Sequence, residues 1–214
     1  MKLTIDPLTP SEAAEVTGVS LDNQRNLRKQ GYLPKNKGHA RFSLLEVCRL
    51  LVIGALSERG IGPKVAVTFA DTAARGILLK VLWQSELYSE RSAIAAHEAT
   101  SESFALDKHQ EALALSMGAK IDEKSLRWLH GTHAKNHLVT SLESDLGVSG
   151  EKAPELFVYW ANGHPEFFYG EDHPFADHAF HMAAWQGPAI MLSIGAMASL
   201  LASRLPHPIV HLSE

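Results

Sequence analysis

Along the N-terminal third of the chain, apolar positions recur at helical spacing in short runs, each closed by glycine or proline. Ser11 is a good N-cap for a first helix carrying Ala13, Ala14 and Val16, and Gly18 stops it. Val19 and Ser20 form a tight turn, and Ser20 can cap a second helix over 21–30. Gly31 ends that helix and Pro34 bars its continuation. Leu21 and Leu27 are its expected core residues. The polar run Lys35-Asn36-Lys37-Gly38-His39-Ala40 reads as a basic hairpin or wing. Ser43 then opens a strongly apolar helix over 44–59, with Val47, Leu50, Leu51 and Leu56 toward a core. Gly60-Ile61-Gly62-Pro63 breaks it, and Pro63 suits the first turn of a fourth helix reaching about Ala74.

Helical patterning resumes over 76–117, where Ile77, Val81, Leu82, Trp83 and Leu87 make an apolar stripe without a sustained heptad. It continues over 119–149 through Leu126, Trp128, Leu129, Leu138 and Leu142. The texture changes near Gly150. Two aromatic-rich runs, 155–160 and 166–169, flank Ala161-Asn162-Gly163-His164-Pro165, a strong hairpin signal. A helix over 188–204 and a short strand over 209–212 follow. Residues 187–203 carry no charge, but Gly187, Pro188 and Gly195 interrupt them, and the run falls short of the roughly 20 apolar residues a membrane span needs. They read as a core or dimer-interface helix. The strand at 209–212 can pair within the chain or across a dimer.

These elements predict an α+β fold, mostly α: an N-terminal winged helix-turn-helix, a helical linker, and a mixed α/β C-terminal domain with a β-hairpin. The expected division is 1–75 for DNA binding, 76–149 for a helical dimerisation or linker region, and 150–214 for a small effector or dimerisation domain.

Composition narrows the class. The chain has 214 residues, 45% hydrophobic and 21% charged, so it can bury a core and is not disordered for most of its length. Its lone cysteine, Cys48, excludes a disulfide-stapled scaffold and fits a reducing compartment. Set among Val47, Leu50 and Leu51, it reads as a packed thiol. The N-terminal stretch has no secretory pattern, so the expected location is cytoplasmic. The net charge of -4 hides an asymmetry: residues 1–64 hold ten Lys or Arg against six Asp or Glu, and the remainder ten against eighteen. Between 21 and 41, Arg25, Arg28, Lys29, Lys35, Lys37 and Arg41 face only Asp22. A basic front on an acidic body suggests a polyanion-binding module.

The element order gives that module a chemistry. A short polar helix fits the major groove, where Arg pairs with guanine and Asn or Gln with adenine by two hydrogen bonds each. Asn23, Gln24, Arg25, Arg28 and Lys29 fall in the candidate reading helix, with Asn26 among them. Lys35, Lys37, His39 and Arg41 suit phosphate or minor-groove contact from the wing.

The run Ser11-Glu12-Ala13-Ala14-Glu15-Val16-Thr17-Gly18-Val19-Ser20, then Arg25, Gly31-Tyr32-Leu33-Pro34, Gly38, Arg41-Phe42-Ser43 and Gly60, resembles the MerR-type DNA-binding domain over about residues 3–72. The resemblance implies that Arg25 is the reading-helix arginine and Arg41 the wing arginine before an aromatic. It also implies a homodimer on palindromic operator DNA acting as a transcriptional regulator, with RNA polymerase or a small-molecule effector as further partners.

Two other readings stand beside it. MerR-like units also serve phage and recombination accessory proteins. A metal-responsive binding protein is the third, because nine of the twelve histidines lie at or beyond position 130. His130, His133 and His137 share a helical face, and His173, His178 and His181 form a second group with Asp177. Neither group has a zinc-motif spacing, and no cofactor is expected. Without a GxSxG, a phosphate-binding glycine loop or a defined carboxylate pair, the chain is not expected to be an enzyme. The aromatic hairpin, with Trp185, reads as packing rather than as a ligand pocket.

Overall fold

The computed structural model describes residues 2–34, 40–101, 112, 115, 116, 118, 123–170 and 187–213. The chain is mixed α+β and mostly helical, with seven α-helices and five strands in two small sheets among the described residues. It divides into two compact units. One holds residues 5–87 and 150–208, the other 1–4, 88–149 and 209–214.

In the first unit, α1 (Pro10–Thr17) and α2 (Leu21–Lys29) precede the long pair α3 (Leu44–Ser57) and α4 (Pro63–Val81). The cap of α1 is Thr9 rather than the expected Ser11. Pro10 occupies the first turn, and Thr9 and Glu12 form a reciprocal capping box. Ser20 caps α2 and Ser43 caps α3, the latter in a box with Glu46. Helix α3 buries Val47, Cys48, Leu50, Leu51 and Leu56, as their spacing predicts. Helix α4 continues past Ala74 to Val81, through the expected domain boundary at 75, because Ile77, Leu78 and Val81 extend its apolar face into the core. An Arg49–Asp71 ion pair ties α3 to α4.

Strands β2 (Pro154–Trp160) and β3 (Pro165–Tyr169) form the expected hairpin, with Phe157 opposite Phe167 and Val158 opposite Glu166. Its turn closes through Gly163 N–H to Trp160 O and His164 N–H to Asn162 Oδ1. The sheet rests on α4, where the Phe69 ring lies 5.0 Å from Phe157 and 5.7 Å from Tyr159. The aromatic hairpin is therefore packed, while Trp185 lies outside the described residues. The helix expected over 188–204 is two elements, β4 (Ala189–Ser193) and α7 (Ile194–Ser203). β2 offers β4 a pairing edge, with Phe157 opposite Leu192, and the Ser193 hydroxyl accepts from Ala196 N–H to start the helix there.

In the second unit, Ser85–Leu87 having closed the first as a short 3-10 turn, α5 (Glu90–Ser101) packs on α6 (Glu123–Asp145). The helical patterning expected over 76–117 is realised as the end of α4, the 3-10 turn and α5 among the described residues, and Trp83, assigned to its apolar stripe, is 41% exposed. Ala134, Leu138, Val139 and Leu142 bury the inner face of α6. β1 (Leu3–Ile5) pairs with β5 (Val210–Leu212), so the expected late strand finds its partner within the chain. Val210 O accepts from Ser89 N–H at 3.0 Å and from Ser92 Oγ at 3.2 Å. Among the described residues, no helix is long and apolar enough to cross a membrane.

Candidate nucleic-acid interface

Gln24 bonds helix α2 to the start of α1. Gln24 is 1% exposed, and its Nε2 donates to Pro10 O at 3.0 Å and to Val19 O at 2.9 Å. The first bond reaches the start of α1 and the second the turn before α2, so one amide ties α2 to both. Gly18 makes that turn: it caps α1 at φ +75°, a conformation a side chain would strain. Gln24 was expected to read bases. Buried with both amide hydrogens in use, it positions the helix instead.

The rest of α2 follows from 3.6-residue spacing. Gln24 and Leu27 form the buried side. Leu21, expected there too, is 39% exposed: it is the first residue of α2 and lies about 120° around the helix from Leu27, at the edge of the buried side. Asn23, Arg25, Asn26 and Lys29 are exposed. Arg25 Nη1 donates to Asp22 Oδ1 at 3.1 Å across one turn, a solvated ion pair of small stability.

Arg28 is half-buried, with its guanidinium carbon 4.2 Å from the centroid of the Phe42 ring. Phe42 is held by a two-way backbone bridge with Leu8, at 2.9 Å and 2.8 Å. This bridge returns the chain to the start of α1, so Arg28 clasps α2 to the segment that bears Arg41. Arg41 is exposed beside it. Lys35, Lys37 and His39 lie outside the described residues.

Glu12 belongs to the same corner. Its carboxylate accepts from Thr9 N–H at 2.7 Å while Thr9 Oγ1 accepts from Glu12 N–H at 3.2 Å. The backbone bond and then the hydroxyl bond hold its carboxyl below the usual range, and His207 and Arg41 lower it further.

A pocket of about 360 Å³ opens beside α2, walled by Asn23, Asn26 and Gln30 and floored by Val19, Leu27 and Ile53. Gln30 and the pocket are not among the residues expected from sequence; the spacing of 23, 26 and 30 along one helical ridge is the signal that carries them. His97 is not among the expected residues either, and its ring stacks on His130 at 3.7 Å between α5 and α6. His133 and His137 are exposed on α6. Among the described residues no three His, Cys, Asp or Glu side chains are grouped to hold a metal ion. His173, His178 and His181 lie outside the described residues.

No family model, no curated protein and no solved structure matches this chain.

Proposed function

We propose that the chain is a sequence-specific transcriptional regulator that binds double-stranded DNA through a MerR-like winged helix-turn-helix and works as a cytoplasmic homodimer. The observation that carries this reading is the division of labour in α2. Gln24 anchors the helix from inside, while Arg25, Asn26 and Lys29 project from its exposed side in a stretch whose only acidic residue is Asp22.

In the proposed complex α2 enters the major groove, which is wide enough for one helix. Arg25 exchanges Asp22 for the O6 and N7 acceptors of a guanine, and Asn23 or Asn26 pairs with adenine. Lys29 and Arg41 neutralise phosphates, as do Lys35, Lys37 and His39 of the wing, giving affinity that falls with salt. Arg28 holds α2 against the wing-bearing segment and contributes position rather than readout. The pocket between α2 and α3 is where a small effector would reach Asn23 and Asn26.

Selection of genomic fragments by the purified protein, beside an Arg25→Ala, Arg41→Ala double variant, tests the reading. A shared palindromic site, enriched by the wild type and lost in the variant, is the expected result. Sites clustered at recombination or packaging loci would assign the accessory role instead. No enriched sequence at moderate salt ends the regulator reading.

A further inference from the structure

The sheet β3-β2-β4 has two outer edges of different construction. The β3 edge carries Pro165, which has no N–H to donate, and Glu166, whose carboxylate accepts from Trp160 Nε1 at 3.0 Å. Proline and charge are the usual protections of an edge strand. β4 has neither. It reads Ala-Ile-Met-Leu-Ser, pairs with β2 on one side, and has no strand on its other side among the described residues. Residues 187–203 include no Asp, Glu, Lys or Arg. Ala189, Met191 and Ser193 are exposed, Met191 to 43%, and Leu200 of the following helix to 40%.

We propose that β4 is the self-association edge: two copies of this chain pair β4 with β4, antiparallel, about a two-fold axis at Met191, making one continuous six-stranded sheet. The strand is complementary to itself in that register. Met191 faces Met191, Ile190 faces Leu192, and Ala189 faces Ser193. No charge meets a like charge, and the small end residues let the backbones close to hydrogen-bonding distance. Such an isologous contact closes at two copies and leaves no second sticky edge, because the outer edges are then the protected β3 strands. β4 also belongs to the same compact unit as α1 and α2, so pairing places two reading helices in one particle, as a palindromic site requires. The assignment deepens the homodimer part of the proposed function, but particle size is measured without DNA, so the two can fail separately.

Light scattering coupled to size exclusion, run over a dilution series of the full chain, should return about twice 23.4 kDa at the concentrated end. Met191→Lys brings two ammonium groups together on the axis and should raise the dimer Kd more than about tenfold. Circular dichroism should be unchanged, since the side chain already reaches solvent. Met191→Cys should give a disulfide-linked dimer on mild oxidation, whereas Ser57→Cys, at an exposed position ending α3, should not; the native Cys48 is buried and stays silent in both. A wild type monomeric at every concentration overturns the assignment. So does a dimer that survives Met191→Lys and fails to cross-link through Met191→Cys. If Met191→Lys does not fold, the cross-link decides.

Discussion

Gln24 and Arg25 are adjacent in the chain and should fail in different ways. Gln24→Ala removes two hydrogen bonds, one buried and one part-buried, that join α1, the turn and α2, and leaves the Val19 carbonyl without that partner. Losing them should lower stability by about 1–3 kcal/mol, read as a shift of the urea midpoint. Arg25→Ala touches only a solvated ion pair and should change stability by less than about 0.5 kcal/mol. If the proposed DNA binding holds, the order reverses on the selected site: Arg25→Ala should lose about 1–3 kcal/mol and tolerate substitution at one base pair, read by fluorescence anisotropy on a set of point-changed sites. A Gln24→Ala protein as stable as the wild type would show that the helix pair is held by something else. Cys48 offers a third residue-level check. Burial pushes its thiol well above the ordinary range, so an alkylating reagent should modify it no faster than the first unit unfolds. Rapid modification of the native protein would contradict a packed thiol.

Helix starts set the stability of α1 and α3, and α1 links it to pH. The Thr9–Glu12 box holds the Glu12 carboxyl below its ordinary value, so its stabilisation is complete above the unfolded pKa near 4.5 and is lost as pH falls through the lower folded value. Glu12→Gln should therefore flatten the acid limb of the stability curve below about pH 4.5, measured by thermal melts in a pH series. An unchanged acid limb would show that the box does not couple to folding. Thr9→Ala should cost about 0.5–2 kcal/mol at neutral pH. A close approach matters as much at Gly76. A methyl group there would lie 2.8 Å from Pro154 Cδ, so Gly76→Ala should destabilise by about 1–3 kcal/mol despite the better helix propensity of alanine. These elements also show what could be read in advance. Caps, turn glycines and the Asn-Gly hairpin act over a few residues, and α2, α3, β2 and β3 follow them closely. The sequence of β4 reads as helix because a short uncharged apolar run has no decisive period, and its pairing with β2 makes it a strand. The burial of Gln24 was hidden for a similar reason: one of its acceptors lies fourteen residues away on α1. Arg25 and Lys29 are exposed because they lie away from the Gln24–Leu27 side of the helix.

At the scale of the whole molecule, neither compact unit is a continuous stretch of chain. The hairpin, β4 and α7 join the N-terminal helices, while β1 and β5 come together from distant sequence in the other unit. That second arrangement makes α5 and α6 depend on residues far downstream. Ile209 and Val210 are fully buried, and Val210 O receives hydrogen bonds from Ser89 and Ser92 at the entry to α5. Removing 209–214 takes away β5, two buried aliphatic side chains worth about 1.5–3 kcal/mol each, and the acceptor for both serines. The sum is a large share of the 5–15 kcal/mol that usually separates folded from unfolded domains. Amides of α5 and α6 should then lose most of their hydrogen-exchange protection, whereas those of α3 and α4, whose core partners lie in the other unit, should keep theirs. Val210→Asp should reproduce the effect without shortening the chain, by burying an unpaired carboxylate in the same position. Protection of α5 and α6 at wild-type levels in both variants would mean that the α5–α6 pair, which buries Ala96, Leu138 and Leu142, is stable without β5. A loss that spread equally through α3 and α4 would mean that the two units unfold as one.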